Sequence, residues 1–405
     1  MAKVLCAWEL GGGSGHFVNL RPLVRGLAAE GHKVFVALRD LCKGPALLEG
    51  AAVSYLQSPY KSDRPRNVIE PARTFAHILH NIGFGDPAEL AALVDAWRNL
   101  IDLVDPDLIV FDHSPTALLA GRGSKARRVV LGNSFSSPPD CSPFPDLRPW
   151  LPADPNVFQT ENTVLENANR VLCGRGQPTL ERLGRLYGEV DEVILTTLAE
   201  FDHYPNRAPA RYRGPWMPEG GEVPAWPSAS GKKVFAYLKT FPALPQLLTL
   251  LRQMACPTIV HIDGITAELQ RQHASPTLCF QTNRLDLHRA AAECDLAILN
   301  GTHGSTVLTL LAGKPALQLP LVLEQDLNAR ATVRLGAGAR VSPWQGQGLA
   351  VALSGLLQSD AYTEAARRFA ARYAQHSPRE ESQRAVADLL SLLGFTAKLM
   401  ASSGG

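Results

Sequence analysis

Two groups of residues carry the chemistry open to this sequence. The first lies in Cys294–Val341, CDLAILNGTHGSTVLTLLAGKPALQLPLVLEQDLNARATVRLGAGARV. Leu296–Leu299 is an apolar run as long as one buried parallel strand. The turn Asn300-Gly301-Thr302-His303-Gly304 breaks it, and Ser305 and Thr306, both good N-cap types, precede a helical run ending at Gly313. A Gly-rich turn between a strand's carboxyl end and a helix's amino end offers free N–H groups and the positive end of the helix dipole to a phosphate or diphosphate. Pro315–Leu319 reads as the next strand, with Gln325–Leu335 as the next helix. Glu324 and Gln325 open that helix, so they are expected at the same sheet edge as the turn. A carboxylate beside an amide suits paired sugar hydroxyls, since each takes two hydrogen bonds in fixed directions. Together the two halves suit a nucleotide sugar. Lys239 and Thr240 end another predicted strand, Lys233–Leu238; the lysine is either a point charge for phosphate or simply solvated.

The second group is near the amino end. Lys3–Trp8 reads as a strand, and Gly11-Gly12-Gly13-Ser14-Gly15-His16 as a turn giving close backbone approach to a ligand. A helix to about Glu30 and a strand Lys33–Leu38 complete a doubly wound opening. His16 is either a cap or loop ligand of its own turn, or a group whose near-neutral pKa lets it take and release a proton. His32 reads as an exposed turn residue. Asp112 ends a buried strand, Leu108–Phe111, at the carboxyl end where open α/β sheets carry functional groups; its other reading is a cap for the helix starting near Ser114.

These residues require elements to hold them. Pro87–Leu103 repeats apolar residues at helical spacing, and Asn162–Leu172 and Gln177–Tyr187 read as further helices. Arg128–Leu131 and Val193–Thr197 read as strands. Residues 138–155 hold seven prolines and cannot be regular helix or central strand, so they read as a long ordered loop. Ser377-Pro378-Arg379-Glu380 is a capping box opening a last helix.

The chain has 405 residues, which favours two domains over one core. Hydrophobic content of 45% and charged content of 19% are those of an ordinary globular protein, and a net charge of +2 without a basic block gives no support for nucleic acid. Seven cysteines without a C-x-x-C pair predict a reducing, cytoplasmic setting and no zinc site. No apolar run approaches a transmembrane segment.

The segment from Cys294 resembles the donor-binding motif of GT-B glycosyltransferases of the UDP-glycosyltransferase type. Gly301, Gly304, Ser305, Gly313, Pro315, Gln325, Asn328 and Ala329 match it in register, and Gly301-Thr302-His303-Gly304 is close to the variant of antibiotic glycosyltransferases. Asn300 stands where the family has a His, Leu308 where it has the Glu that holds the donor ribose, and Glu324 where it has Asp. Gly15-His16 and Gly31-His32 keep the spacing of the family's opening, and Tyr212-Arg213-Gly214-Pro215 resembles its Val-Gly-Pro before the linker.

The resemblance implies two doubly wound, Rossmann-like α/β domains facing across a cleft. Residues 1–213 would bind the acceptor, 214–232 would link, 233–376 would bind the donor, and a helix over 377–395 would return to the first domain. It implies an inverting transferase with His16 as general base and Asp112 orienting and charging it. Asn300, Gly301, Thr302, His303, Gly304, Ser305, Thr306, Glu324, Gln325, Lys239 and Thr240 would hold the donor. Gly12, Gly13, Ser14 and Gly15 would line the acceptor side. The acceptor would be a small molecule or lipid. Neither metal nor cofactor is implied beyond the nucleotide-sugar co-substrate. Two other readings share the fold: a nucleotide-sugar-binding protein without transferase activity, which the changes at Asn300 and Leu308 favour, and a lipid-linked-sugar transferase acting at a membrane face.

Overall fold

The computed structural model describes residues 1–13, 15–44, 48, 50, 52–63, 67–204, 207–217 and 220–395. The chain divides into two compact units, one of Met1–Trp216 with Pro378–Gly405, the other of Met217–Ser377.

In the first unit the order is β1 (Lys3–Trp8), α1 (Gly15–Ala29), β2 (Lys33–Leu38), β3 (Val53–Gln57), α2 (Pro87–Val104), β4 (Leu108–Asp112), α3 (Pro115–Ala120), β5 (Arg127–Gly132), α4 (Gln159–Cys173) and β6 (Glu192–Leu195). The six strands run parallel in the order β3-β2-β1-β4-β5-β6. Helices cover both faces, which is why the central strands are unbroken apolar runs. Leu5, Ala7, Ile109 and Phe111 pack with Trp97 and Ile101 of α2 on one face. Val4, Cys6, Leu108 and Val110 pack with Leu20, Leu23 and Leu27 of α1 on the other. The connections leave β1 toward β2 and β3 on one side and β4 to β6 on the other. The crevice between β1 and β4 is therefore the switch point, where carboxyl-end loops diverge and leave room for a ligand.

The second unit repeats the plan. Its elements are β7 (Val234–Lys239), α5 (Leu244–Met254), β8 (Thr258–Asp263), β9 (Leu278–Phe280), α6 (Leu287–Glu293), β10 (Leu296–Leu299), α7 (His303–Leu311), β11 (Ala316–Gln318), α8 (Leu323–Arg334), β12 (Gly338–Arg340), α9 (Leu349–Gln358) and α10 (Asp360–Arg372). The parallel order β12-β11-β10-β7-β8-β9 puts this switch point between β7 and β10. The last helix, α11 (Pro378–Leu392), belongs to the first unit. Its Ala385, Leu389 and Leu390 join the core under α1, and a Cβ on Gly26 would meet Val386 at 2.7 Å. Arg213 ties the helix down through Glu381 and Asp388.

Four expectations are corrected. β3 and β12 have no counterpart in the sequence reading. Of 177–187 only its end is helical, Arg185–Gly188. The helix after the 300–304 turn begins at His303 with Thr302 as N-cap, earlier than the Ser305 and Thr306 caps imply. His32 is buried, because its Nδ1 accepts from the Ala2 N–H at 3.1 Å and Phe395 packs edge-on against the ring. Among the described residues no helix is long and apolar enough to cross a membrane.

Candidate active site

His16 sits in the first turn of α1, just past the carboxyl end of β1, and Asp112 is the last residue of β4. They are 96 residues apart, but β1 and β4 pair in a register that sets Trp8 opposite Asp112. His16 Nδ1 lies 2.9 Å from Asp112 Oδ1. The carboxylate is fully buried, while the imidazole keeps 19% of its side-chain surface exposed. A carboxylate only accepts, so Nδ1 carries the proton and the lone pair falls on Nε2. Trp8 stacks on the imidazole with centroids 5.2 Å apart, and the His113 ring is 5.8 Å away.

Asp112 does not cap α3. The buried Glu9, next after β1, does so: its carboxylate accepts from the Thr116 N–H at 3.0 Å, the Ala117 N–H at 3.3 Å and Thr116 Oγ1 at 2.6 Å. Burial pushes Glu9 up to about 7, against the lowering effect of these hydrogen bonds and of Arg39. His113 adopts a positive φ of 46°; burial first, then the neighbouring His16 and Arg39 charges, push it down to about 3 and keep it neutral.

In the Gly-rich turn one close approach is internal to the protein. The glycine whose bareness is used is Gly11: with φ +85°, its Cβ would meet His16 Nε2 at 2.4 Å. Gly12 and Gly15 have nothing within 4 Å of such an atom, and they and Gly13 are exposed. Ser14 lies outside the described residues.

In the second unit the two halves of the 294–341 segment meet as expected. Gly301, at φ +80°, has no room for a Cβ, which would meet the Gln325 carbonyl at 2.5 Å. Asn328 Nδ2 donates to the Gly301 carbonyl at 2.9 Å. The β10 loop is thus clamped to the first turn of α8, beside the exposed Lys239 and Thr240 at the end of β7. Asn300 bridges the switch point: its Oδ1 accepts from the Lys239 N–H at 2.6 Å and its Nδ2 donates to the Leu319 carbonyl at 2.9 Å. It is 3% exposed, so it shapes the loop rather than offering itself to a ligand. Thr306 is also corrected. Because the helix starts at His303, Thr306 turns toward the sheet, is fully buried, and its Oγ1 accepts from Gln318 Nε2 at 3.4 Å. His303 and Ser305 are mostly buried, and Thr302 is exposed, with its Oγ1 2.5 Å from Ser305 Oγ. Gln325 Oε1 accepts from the Leu321 N–H at 2.7 Å, and Glu324 is half-buried beside it. Gly304 abuts the Met217 sulfur, a neighbour the sequence did not suggest. Among the described residues no group of three or more His, Cys, Asp or Glu is placed to hold a metal ion.

No protein-family model matches the chain. It is 26% identical over 339 residues to a Mycobacterium tuberculosis protein named PGL/p-HBAD biosynthesis glycosyltransferase, covering 76% of each. It is 25% identical over 383 residues, 85% of each, to a PGL/p-HBAD biosynthesis rhamnosyltransferase from Mycobacterium bovis. Among solved structures it resembles the calicheamicin glycosyltransferase CalG4 (TM-score 0.68, 17% identity, 99% of each chain). It also resembles the glycosyltransferase VinC in complex with dTDP (TM-score 0.67, 14% identity, 97% of this chain and 99% of the other). Both likenesses extend over nearly the whole chain, and the curated relatives carry sugar transfer in their names. The chain is thus a glycosyltransferase of the GT-B fold, resembling the UDP-glycosyltransferase type.

Proposed function

We propose that the protein is an inverting transferase that moves a sugar from a nucleoside diphosphate sugar, with UDP or TDP as the carrier, to an acceptor hydroxyl, without metal or further cofactor. The observation that carries this is the 2.9 Å contact of His16 Nδ1 with the buried Asp112. It fixes the tautomer that leaves Nε2 basic and puts a negative charge behind the imidazolium that forms. In the reaction the acceptor O–H proton passes to Nε2 as its oxygen attacks the anomeric carbon. The bond from that carbon to the diphosphate oxygen breaks, and the diphosphate leaves with the electron pair, so configuration inverts. Lys239, Thr240 and the Gly301–Ser305 backbone supply positive charge and N–H donors to the diphosphate, which lowers the barrier to departure. Glu324 and Gln325 take the sugar hydroxyls. The complex of VinC with dTDP supports a thymidine carrier as one choice.

A thermal-shift screen over UDP-, TDP- and GDP-sugars identifies the donor, because a ligand of the folded state raises the melting temperature by mass action. With that donor and an acceptor, His16→Ala is expected to cut turnover by about 10²–10⁴ and leave the donor Kd measured by calorimetry unchanged. Wild-type turnover in His16→Ala overturns the assignment.

A further inference from the structure

A buried polar space lies on the far side of Asp112 from the imidazole. Asp112 engages only one of its two oxygens: Oδ1 faces His16, while Oδ2 is buried and has no partner among the described residues. β5 pairs with β4 so that Leu131 stands opposite Asp112, which puts Gly132 just past it. The turn Ser134–Ser136 follows, and the Ser137 N–H closes it by donating to the Ser134 carbonyl at 3.1 Å. Gly132 has φ +147°, and a Cβ there would meet Ser136 Oγ at 2.4 Å and both Asp112 Oδ1 and Ser137 Oγ at 3.6 Å. The bare glycine thus leaves a space that the carboxylate and two hydroxyls share. Ser136 Oγ is committed, since it donates to the Asn133 carbonyl at 3.2 Å. Ser137 is 1% exposed and held by its carbonyl, which accepts from Arg207 Nη2 at 2.8 Å, yet its hydroxyl is buried without a partner among the described residues.

We propose that Ser137 is a positioning residue for the Asp112–His16 pair, its hydroxyl donating to Asp112 Oδ2 through one buried water. This rests on the transferase reading above and adds a residue to it. A buried carboxylate oxygen is costly without a donor, and a buried hydroxyl is costly without an acceptor, so each of the two groups supplies what the other lacks. Both lie 3.6 Å from one point, within the reach of a single bridging water. With Oδ2 held, the carboxylate cannot turn about its Cβ–Cγ bond, and Oδ1 stays aimed at the Nδ1 proton of His16. Ser137 touches neither substrate and acts only through Asp112.

The test reads the Nδ1 proton of His16 by NMR on the full chain, isotope-labelled on histidine, its resonance identified by its loss in His16→Ala. Ser137→Ala is expected to move that resonance upfield, as Oδ1 turns from the proton. It is also expected to lower kcat about tenfold, with acceptor KM and donor Kd unchanged within about twofold. Ser137→Thr keeps the hydroxyl and is expected to restore both resonance and kcat. Ser136→Ala removes a hydrogen bond from the same turn, so it is expected to lower the melting temperature and leave the resonance in place. No upfield movement in Ser137→Ala, an equal movement in Ser136→Ala, or a Ser137→Thr protein as impaired as Ser137→Ala overturns the proposal. The resonance is read without turnover, so a protein in which it behaves as expected but which transfers no sugar defeats the transferase reading and leaves the hold of Ser137 on Asp112 standing.

Discussion

At the residue scale, two buried carboxylates at neighbouring strand ends have opposite roles. In the mechanism we propose, Asp112 holds the ring that takes the acceptor proton, so Asp112→Ala leaves the imidazole present but less well oriented and less basic. Its turnover is expected to fall less than that of His16→Ala, and steady-state kinetics on the two variants orders them. Glu9 accepts hydrogen bonds from neutral donors, and burial pushes it from its ordinary 4.5 up to about 7. A carboxyl group with a raised folded-state pKa stabilises the fold below its unfolded value, and that contribution is lost as pH rises through the folded value. Between about pH 4.5 and 7, wild-type stability should therefore fall relative to Glu9→Gln, by an amount on the order of 3 kcal/mol. Urea titrations of the two proteins across that range measure the difference. Parallel curves would show that Glu9 is ionised in the fold throughout.

At the element scale, the clamp between the β10 loop and α8 depends on a glycine. Gly301→Ala would place a methyl against the Gln325 carbonyl at φ +80°, where L side chains rarely sit. The expected cost is about 1–3 kcal/mol, since a backbone contact cannot rotate away. Donor binding should weaken with it, because α8 carries Glu324 and Gln325, the residues proposed to take the sugar hydroxyls. Gly355→Ala is the contrast: it lies in α9 with nothing near the added atom, so it should stabilise by about 0.5–1 kcal/mol. Chemical denaturation of both variants decides whether space and φ, rather than glycine content, set the cost.

At the scale of the whole molecule, the chain returns to its first unit at the end. Ending it at Ser377 removes Ala385, Leu389 and Leu390 from the core beneath α1 and leaves Arg213 without Glu381 and Asp388. Each buried leucine is worth about 1.5–3 kcal/mol, so the first unit should lose several kcal/mol. The second unit keeps its core, with Leu247, Ile298 and Leu353 all within Met217–Ser377. Calorimetry should show one transition shifted down and the other in place; an unshifted pair would mean that α11 adds nothing to the fold.

The sequence by itself determined the βα rhythm, both Gly-rich turns, and the identity of His16 and Asp112 as separate candidates. Strands buried on both faces are unbroken apolar runs, and glycines mark where they stop, so these are local signals. It did not reveal β3, a half-buried strand whose Val-Ser-Tyr-Leu-Gln is neither a clean run nor a clean alternation. Nor did it show that Glu9 rather than Asp112 caps α3, that His32 is buried, or that Thr306 turns inward. Each depends on a partner far along the chain or on which residue begins a helix. The resemblance implied the pairing of His16 with Asp112, whereas the residues by themselves did not, because it exists only where β4 is laid beside β1 in one register. Which strands become neighbours is settled by burial and crossover across the whole unit.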